Sequence, residues 1–159
     1  MNYRELYFRF LERLAEEIKR YYGKRLVSLA VFGSVARGTF RPDSDVDLLL
    51  VVRDLPRGRR ARVEEFIEGV EEPLERKEHF LPEISPVIKT PEEVRLGSPL
   101  FLDLTEEALI LYDEKDFLRN YLAELRDRLK RLGARRVQRG GSRYWILKPD
   151  YRPGEVIEL

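Results

Sequence analysis

The 159-residue chain contains no cysteine, which excludes disulfides, thiolate catalysis and cysteine-liganded metal centres. It has one histidine, His79, so a site built on two imidazoles is also excluded, and we assign His79 no role. A metal site in this chain must therefore use carboxylates, which favours a hard ion such as Mg²⁺.

The sequence also lacks a long apolar run and a targeting segment. No stretch approaches the roughly 18 apolar residues that cross a membrane. The first residues have no apolar core followed by a cleavage site, as a signal peptide would. We therefore expect a cytoplasmic protein that makes no membrane contact.

Neither sign of charge is in excess, because 30 lysines and arginines face 29 aspartates and glutamates. This balance argues against a surface wholly devoted to nucleic acid and leaves local basic patches open. Charged residues make up 37% of the chain, and this density with a single methionine is typical of heat-adapted proteins. The length fits one domain with a real core.

Hydrophobic periodicity predicts a mixture of helices and strands without strict alternation. This mixture indicates an α/β (α+β) domain with a small mixed β-sheet flanked by helices. Proline at 91 and 99 opens two short helices, the first in a capping box from Thr90 to Glu93. The longer predicted elements are helices over 4–22, 59–72 and 114–132, strands over 26–32, 45–52, 80–89 and 108–112, a hairpin over 135–147, and a final strand over 155–159.

Two carboxylates stand at the start of the second predicted strand. Asp45 and Asp47 are two residues apart, so in a strand both side chains point to the same face. Like charges so close are costly unless a cation or a proton lies between them. Paired hard oxygens of this kind suit Mg²⁺, which commonly binds one or two carboxylates plus substrate phosphates.

A glycine and a serine end the strand before it. Gly33 permits close backbone approach, and the hydroxyl of Ser34 can donate to a phosphate oxygen. Each feature taken alone is usually a turn or a solvated strand edge. Their combination between two buried strands indicates a site for a metal–triphosphate complex.

Three consecutive segments resemble the signature of the DNA polymerase β-like nucleotidyltransferase superfamily. They are Gly33-Ser34, then Ala36-Arg37-Gly38, then the run from Ser44 to Leu48. Within it, the chain is most similar to the minimal nucleotidyltransferases. The resemblance implies a nucleotidyltransferase domain over 1–113. Residues 114–159 then form a C-terminal helix and hairpin extension packed on the same domain.

The resemblance also implies the chemistry. Asp45 and Asp47 would bind two Mg²⁺ ions, and an acceptor hydroxyl would attack the α-phosphate of ATP with pyrophosphate leaving. Gly33 and Ser34 would hold the triphosphate, and Arg37 and Ser44 are further candidate nucleotide contacts. The family's third metal-binding and catalytic carboxylate is expected within 80–89. Glu83 is the candidate there. Alignment by strand centre would instead place Ser85 or Pro86 at that position. Asp103 is a distant fallback.

The acceptor and the partner stay open at the level of sequence. Minimal family members often act as antitoxins on a separate helical toxin, so such a partner is possible, as is a homo-oligomer. An RNA acceptor is possible but not favoured. The alternatives are a catalytically weak or inactive nucleotide- or partner-binding module of the same fold, and a phospho-acceptor receiver domain, whose pattern is not evident.

Two arginine clusters are candidates for binding polyanions. The first surrounds the start of the 59–72 helix, and the second lies in the predicted hairpin beside Tyr144 and Trp145. For both, we favour the interpretation that the arginines face water and that Trp145 packs on the 114–132 helix. The clusters comprise Arg57, Arg59, Arg60 and Arg62, and Arg135, Arg136, Arg139 and Arg143.

Overall fold

A computed structural model describes residues 2–159, and its centre is a four-stranded mixed sheet. The strand order is β3-β2-β1-β4, in which β2 and β3 run parallel and the other neighbours run antiparallel. The mixed α/β fold predicted from the sequence is confirmed. The strands are β1 Leu26–Phe32, β2 Val46–Val52, β3 Ile84–Lys89 and β4 Leu109–Asp113.

Helices cover both faces of β1 and β2, which explains why these strands are almost continuously apolar. Helix α1 (Tyr3–Tyr22) packs through residues such as Leu14 against the face that carries Leu50. Helix α7 (Phe117–Leu132) packs through residues such as Leu122 against the face that carries Leu49. The period-two alternation of a strand therefore divides its residues between two hydrophobic layers.

The remaining helices are short and lie between the strands. None of the helices in the described part of the chain is both long and apolar enough to cross a membrane. They are α2 Gly33–Arg37, α3 Arg59–Phe66, α4 Glu72–Lys77, α5 Pro91–Leu96 and α6 Pro99–Leu104, with a π-helical turn at Ile67–Glu71 and 3₁₀ turns at Gly23–Arg25 and Glu114–Asp116.

The helix predicted to end before Pro73 continues through the π-helical turn to Lys77. Proline lacks an N–H group, so the carbonyl four residues earlier, that of Gly69, loses its usual helical donor. Arg20 Nη2 donates to that carbonyl at 3.1 Å and replaces the missing hydrogen bond. A tertiary contact thus permits a helix that local propensity predicts to stop.

The edge strand β3 is shorter than predicted, beginning at Ile84 rather than at residue 80. It pairs only with β2 in the sheet, and its Pro86 is tolerated because an edge strand has one side free of ladder bonds. The capping box at Thr90 and Glu93 is present as predicted at the start of α5.

The C-terminal region forms α7 and then a separate hairpin of β5 (Arg135–Arg139) and β6 (Ser142–Ile146). The prediction of a final strand at 155–159 is wrong. Those residues pair with no strand of the described chain, and the preceding segment turns back through a hydrogen bond from the Arg152 N–H to Glu155.

Asp113, at the end of β4, fixes the start of α7. Its carboxylate accepts hydrogen bonds from the Leu118 and Arg119 N–H groups at 2.8 and 2.9 Å. It also accepts from the hydroxyl of Ser28 at 2.6 Å, and Ser28 is fully buried. One side chain therefore caps a helix and satisfies a buried polar group of the central sheet.

Replacing Asp113 by alanine should lower the free energy of unfolding by about 2 to 4 kcal/mol, because the cap is lost and Ser28 is left unsatisfied. Denaturant unfolding measures this cost. Asp127→Ala, on the exposed face of α7, is the matched control and should change the free energy by less than about 0.5 kcal/mol. Equal costs for the two variants would contradict this role of Asp113.

Candidate active site

The site begins where the end of β1 meets the start of β2. The antiparallel register places Phe32 opposite Asp47, so the next residue, Gly33, lies beside the Asp47 carboxylate. Gly33 is buried and has φ of +72°, a conformation that favours glycine. A Cβ atom at this position would overlap Asp47 Oδ2. The chain thus needs glycine here on two counts, for its backbone angle and to leave room for the carboxylate.

Asp45 and Asp47 lie together at this edge, as predicted. Asp47 is the second residue of β2 and is half-buried. Asp45 directly precedes the strand and is exposed. Burial raises the pKa of Asp47, the negative charge of Asp45 raises it further, and the Arg37 guanidinium opposes both. A half-buried carboxylate whose charge is disfavoured by a second carboxylate beside it is part of a donor set that fits a hard divalent cation.

The nucleotide candidates Ser34 and Ser44 occupy different settings. Ser34 is half-buried in the first turn of α2, next to Gly33. Ser44 closes the loop before β2, because its hydroxyl accepts from the Arg41 N–H at 2.7 Å and its carbonyl accepts from the Tyr7 hydroxyl at 2.5 Å. The contacts of Ser44 are those of a residue that shapes the loop carrying the acid pair.

Glu107 belongs to this site and was missed by the sequence analysis. It lies two residues before β4, is buried, and pairs with Arg37 Nη1 at 2.8 Å. Its negative charge also acts on Asp47. The available signal was an acid just before an apolar strand, the same pattern that marked Asp45, but only the pairing of β4 with β1 brings it to the same edge.

Glu83 lies just before β3, where its carbonyl accepts from the Val46 N–H at 2.8 Å. Its side chain is exposed and lines a cavity beside Phe10, and its charge is not among those that shift the Asp47 pKa. Within residues 2–159, no three acidic or histidine side chains are grouped so as to hold a metal ion. The role of Glu83 as third carboxylate stays a prediction.

The three alternatives to Glu83 are Ser85, Pro86 and Asp103. In the parallel register Ser85 lies opposite Asp47 and Pro86 opposite Leu48, and which of them occupies the position of the third carboxylate stays a prediction. Asp103, in α6, accepts from Trp145 Nε1 at 3.0 Å and pairs with Arg136 at 3.3 Å. The carboxylate of Asp103 is therefore engaged in holding the hairpin.

The arginine clusters are partly engaged in structural contacts. In the first, Arg62 pairs with Glu93 at 2.6 Å and donates to the Pro56 carbonyl at 2.8 Å. In the hairpin, Trp145 packs against the hydrophobic layer that contains α7, as expected, and Arg135, Arg139 and Arg143 are exposed. The expectation that the hairpin arginines face water is wrong for Arg136, which is mostly buried and paired with acidic side chains.

The small mixed sheet, the glycine turn and the adjacent acid pair define the class as a nucleotidyltransferase. The profile of the nucleotidyltransferase domain family matches residues 11–112, and the chain belongs to this family. A protein of Methanocaldococcus jannaschii, provisionally named a protein adenylyltransferase, is 34% identical over 124 residues, covering 77% of this chain and 82% of the relative. The chain is thus a transferase enzyme, and its resemblance to the minimal nucleotidyltransferases is confirmed.

Solved structures share the fold at low sequence identity. A toxin–antitoxin crystal structure with AMP-PNP contains a chain with a TM-score of 0.53 at 17% identity, covering 76% of this chain and 88% of that chain. A spectinomycin adenyltransferase of Enterococcus faecialis, solved with ATP and spectinomycin, gives 0.54 at 15% identity, covering 79% of this chain and 66% of that one. These similarities confirm the predicted nucleotidyltransferase fold.

Replacing Gly33 by alanine should abolish Mg²⁺-dependent ATP binding, because the new Cβ displaces the Asp47 carboxylate. Gly38→Ala is the matched control, since Gly38 has φ of +79° and nothing within 4 Å of an added Cβ. Both variants should lose about 1 to 2 kcal/mol of unfolding free energy to backbone strain. Calorimetric titration should show binding in Gly38→Ala only, and equal affinities would contradict the account.

Replacing Asp47 by asparagine should raise stability near neutral pH. The pKa of Asp47 is raised in the folded state, so ionisation of Asp47 favours unfolding, and the parent protein loses stability as the pH rises through that pKa. The advantage of Asp47→Asn should shrink as the pH falls toward about 4. Thermal unfolding across this pH range measures the stability difference between the variant and the parent. A variant less stable than the parent at neutral pH would contradict the raised pKa of Asp47.

Proposed function

We propose that this enzyme transfers AMP from ATP to a hydroxyl group of an acceptor, with Mg²⁺ bound by Asp45 and Asp47. The observation that carries the proposal is the contact of Gly33 with Asp47. The absence of a side chain at Gly33 lets the Asp47 carboxylate pack against the turn after β1, and the charge of that carboxylate is destabilised by burial and by the neighbouring Asp45. A half-buried carboxylate beside an exposed one is a donor set that suits a cation and the phosphates it accompanies.

The residues present have distinct roles in this reaction. Gly33 and Ser34 bind the triphosphate at the end of β1, and Arg37 donates to its oxygens. Bound Mg²⁺ supplies positive charge that offsets the charge developing on the attacking and leaving oxygens. The acceptor oxygen forms a bond to the α-phosphorus, the bond to the bridging oxygen breaks, and pyrophosphate leaves. Glu83 is the candidate to accept the proton of the hydroxyl.

The acceptor that we favour is a hydroxyl of a separate protein, of the helical toxin type. Two findings support this choice. The curated relative is named as a protein adenylyltransferase, and one structure of the same fold is a toxin–antitoxin complex. An RNA acceptor is less favoured because Arg62 of the first basic cluster is paired with Glu93 and is mostly buried.

The test is transfer of label from α-labelled ATP to a purified protein of the helical toxin type, in the presence of Mg²⁺. Asp45→Asn and Asp47→Asn should each lower the rate at least about a hundredfold, because charge stabilisation in the transition state is lost. Asp43→Asn, an exposed acid in the same loop, is the control and should retain the parent rate.

Retained transfer by either Asp45→Asn or Asp47→Asn would contradict the metal assignment. ATP binding without transfer to any acceptor, in the parent protein, would favour the alternative of a catalytically weak nucleotide-binding module. Glu83→Gln and Ser85→Ala then separate the two positions that compete for the third catalytic role, since only the true one should lower the rate without weakening ATP binding.

A further inference from the structure

The C-terminal hairpin reaches the active site through one arginine. Arg136, on β5, lies outside the region that matches the family profile, 11–112. Its guanidinium pairs with the two oxygens of Glu107, Nη2 with Oε1 at 3.3 Å and Nη1 with Oε2 at 3.4 Å. The same Glu107 Oε2 accepts from Arg37 Nη1 at 2.8 Å. A continuous Arg136–Glu107–Arg37 chain therefore joins the extension to the candidate site.

This chain is buried at its centre and open at its end. The side chains of Glu107 and Arg136 are 7% and 12% exposed, whereas that of Arg37 is 27% exposed. Burial would raise the pKa of Glu107, but its hydrogen bonds and charge interactions with Arg37 and Arg136 hold it below the usual value. Glu107 thus stays ionised and shares one negative charge between two cations.

The position of Arg136 is fixed independently of Glu107. Its cross-strand neighbour is Trp145, whose Nε1 donates to Asp103 at 3.0 Å, and Arg136 itself pairs with the same Asp103 oxygen at 3.3 Å. The hairpin is therefore anchored on α6 by two neighbouring contacts. Because the hairpin is anchored in this way, it can hold the Arg136 guanidinium in place beside Glu107.

Arg37 borders a cavity of about 330 Å³ between the site and the hairpin. Because Arg136 offsets the charge of Glu107, Arg37 is held by one hydrogen bond and keeps its other donors for a ligand. Without Arg136, the buried Glu107 carboxylate would have Arg37 as its nearest remaining cation. The negative charge of Glu107 would then act on Asp47 with less compensation. Both effects disfavour binding of a triphosphate.

We propose that Glu107 and Arg136 are positioning residues that hold Arg37 for the phosphates of ATP, so that the C-terminal hairpin completes the nucleotide site. This inference rests on the proposed function, because it takes ATP as the ligand of Arg37. It assigns a role to an extension in which the sequence shows no motif.

The test is calorimetric binding of Mg²⁺–ATP to the full chain, with thermal unfolding as a check on folding. Arg136→Met should weaken ATP binding about tenfold, and Arg136→Lys, which keeps the charge, should restore part of the loss. Arg135→Met is the matched control, since Arg135 is exposed and lies on the other face of the hairpin, and it should bind as the parent does.

The double variant Glu107→Gln/Arg136→Met separates positioning from simple anchoring of the hairpin. It removes the excess charge while the glutamine oxygen can still accept from Arg37, so ATP binding should recover to within about threefold of the parent. In transfer assays, Arg136→Met should raise KM for ATP more than it lowers kcat, because the lost interaction is with bound nucleotide.

Parent-like binding by Arg136→Met would overturn the proposal and leave the proposed function intact. Equal impairment of Arg136→Met and the double variant would also overturn it, because hairpin anchoring alone would then explain the loss. Should Arg136→Met fail to fold, Arg136→Lys carries the test: it should bind ATP more weakly than the parent, and parent-like affinity would overturn the inference. Failure of the parent protein itself to bind Mg²⁺–ATP would instead refute the proposed function.

Discussion

The antiparallel register between β1 and β2 is the constraint on which the site depends. It sets Phe32 opposite Asp47, and the turn that follows then brings the backbone of Gly33 against the Asp47 carboxylate. A shift of one residue would turn Asp47 into the hydrophobic layer and expose Leu48. The two apolar layers on either side of the sheet oppose any such shift, so the core that stabilises the fold also fixes the position of the acid pair.

The acid pair itself lowers stability, and the surrounding protein compensates only in part. Burial and the charge of Asp45 disfavour ionisation of Asp47, and Arg37 offsets part of that cost. Arg37 is in turn held by Glu107, and Glu107 by Arg136 of the hairpin. The charges therefore alternate in sign from the extension to the site, and the acidic end is where a cation would complete the series. The near-zero net charge of the chain does not reveal this local alternation of positive and negative side chains.

Much of the fold and the central part of the site could be predicted from the sequence. The apolar runs of β1 and β2 and the amphipathic pattern of α1 depend on local periodicity. Asp47 lies on β2, Asp45 directly precedes β2, and Gly33 directly follows β1. The continuation of the helix through Pro73 was not predictable, because it depends on Arg20, which is distant in sequence. Glu107 was missed for the same reason, since the pairing of β4 with β1 brings it to the site. Residues 155–159 have a strand-like composition but no partner strand in the described chain.

The central claim is that Asp45 and Asp47 jointly bind the metal that accompanies ATP. The most direct measurement is a crystal structure with Mn²⁺ and a non-hydrolysable ATP analogue, in which anomalous scattering locates the metal. The account predicts a metal peak bonded to oxygens of both carboxylates and to the phosphates, with the triphosphate beside Gly33 and Ser34. A metal–nucleotide complex bound elsewhere on the protein, with both carboxylates free of metal, would contradict it.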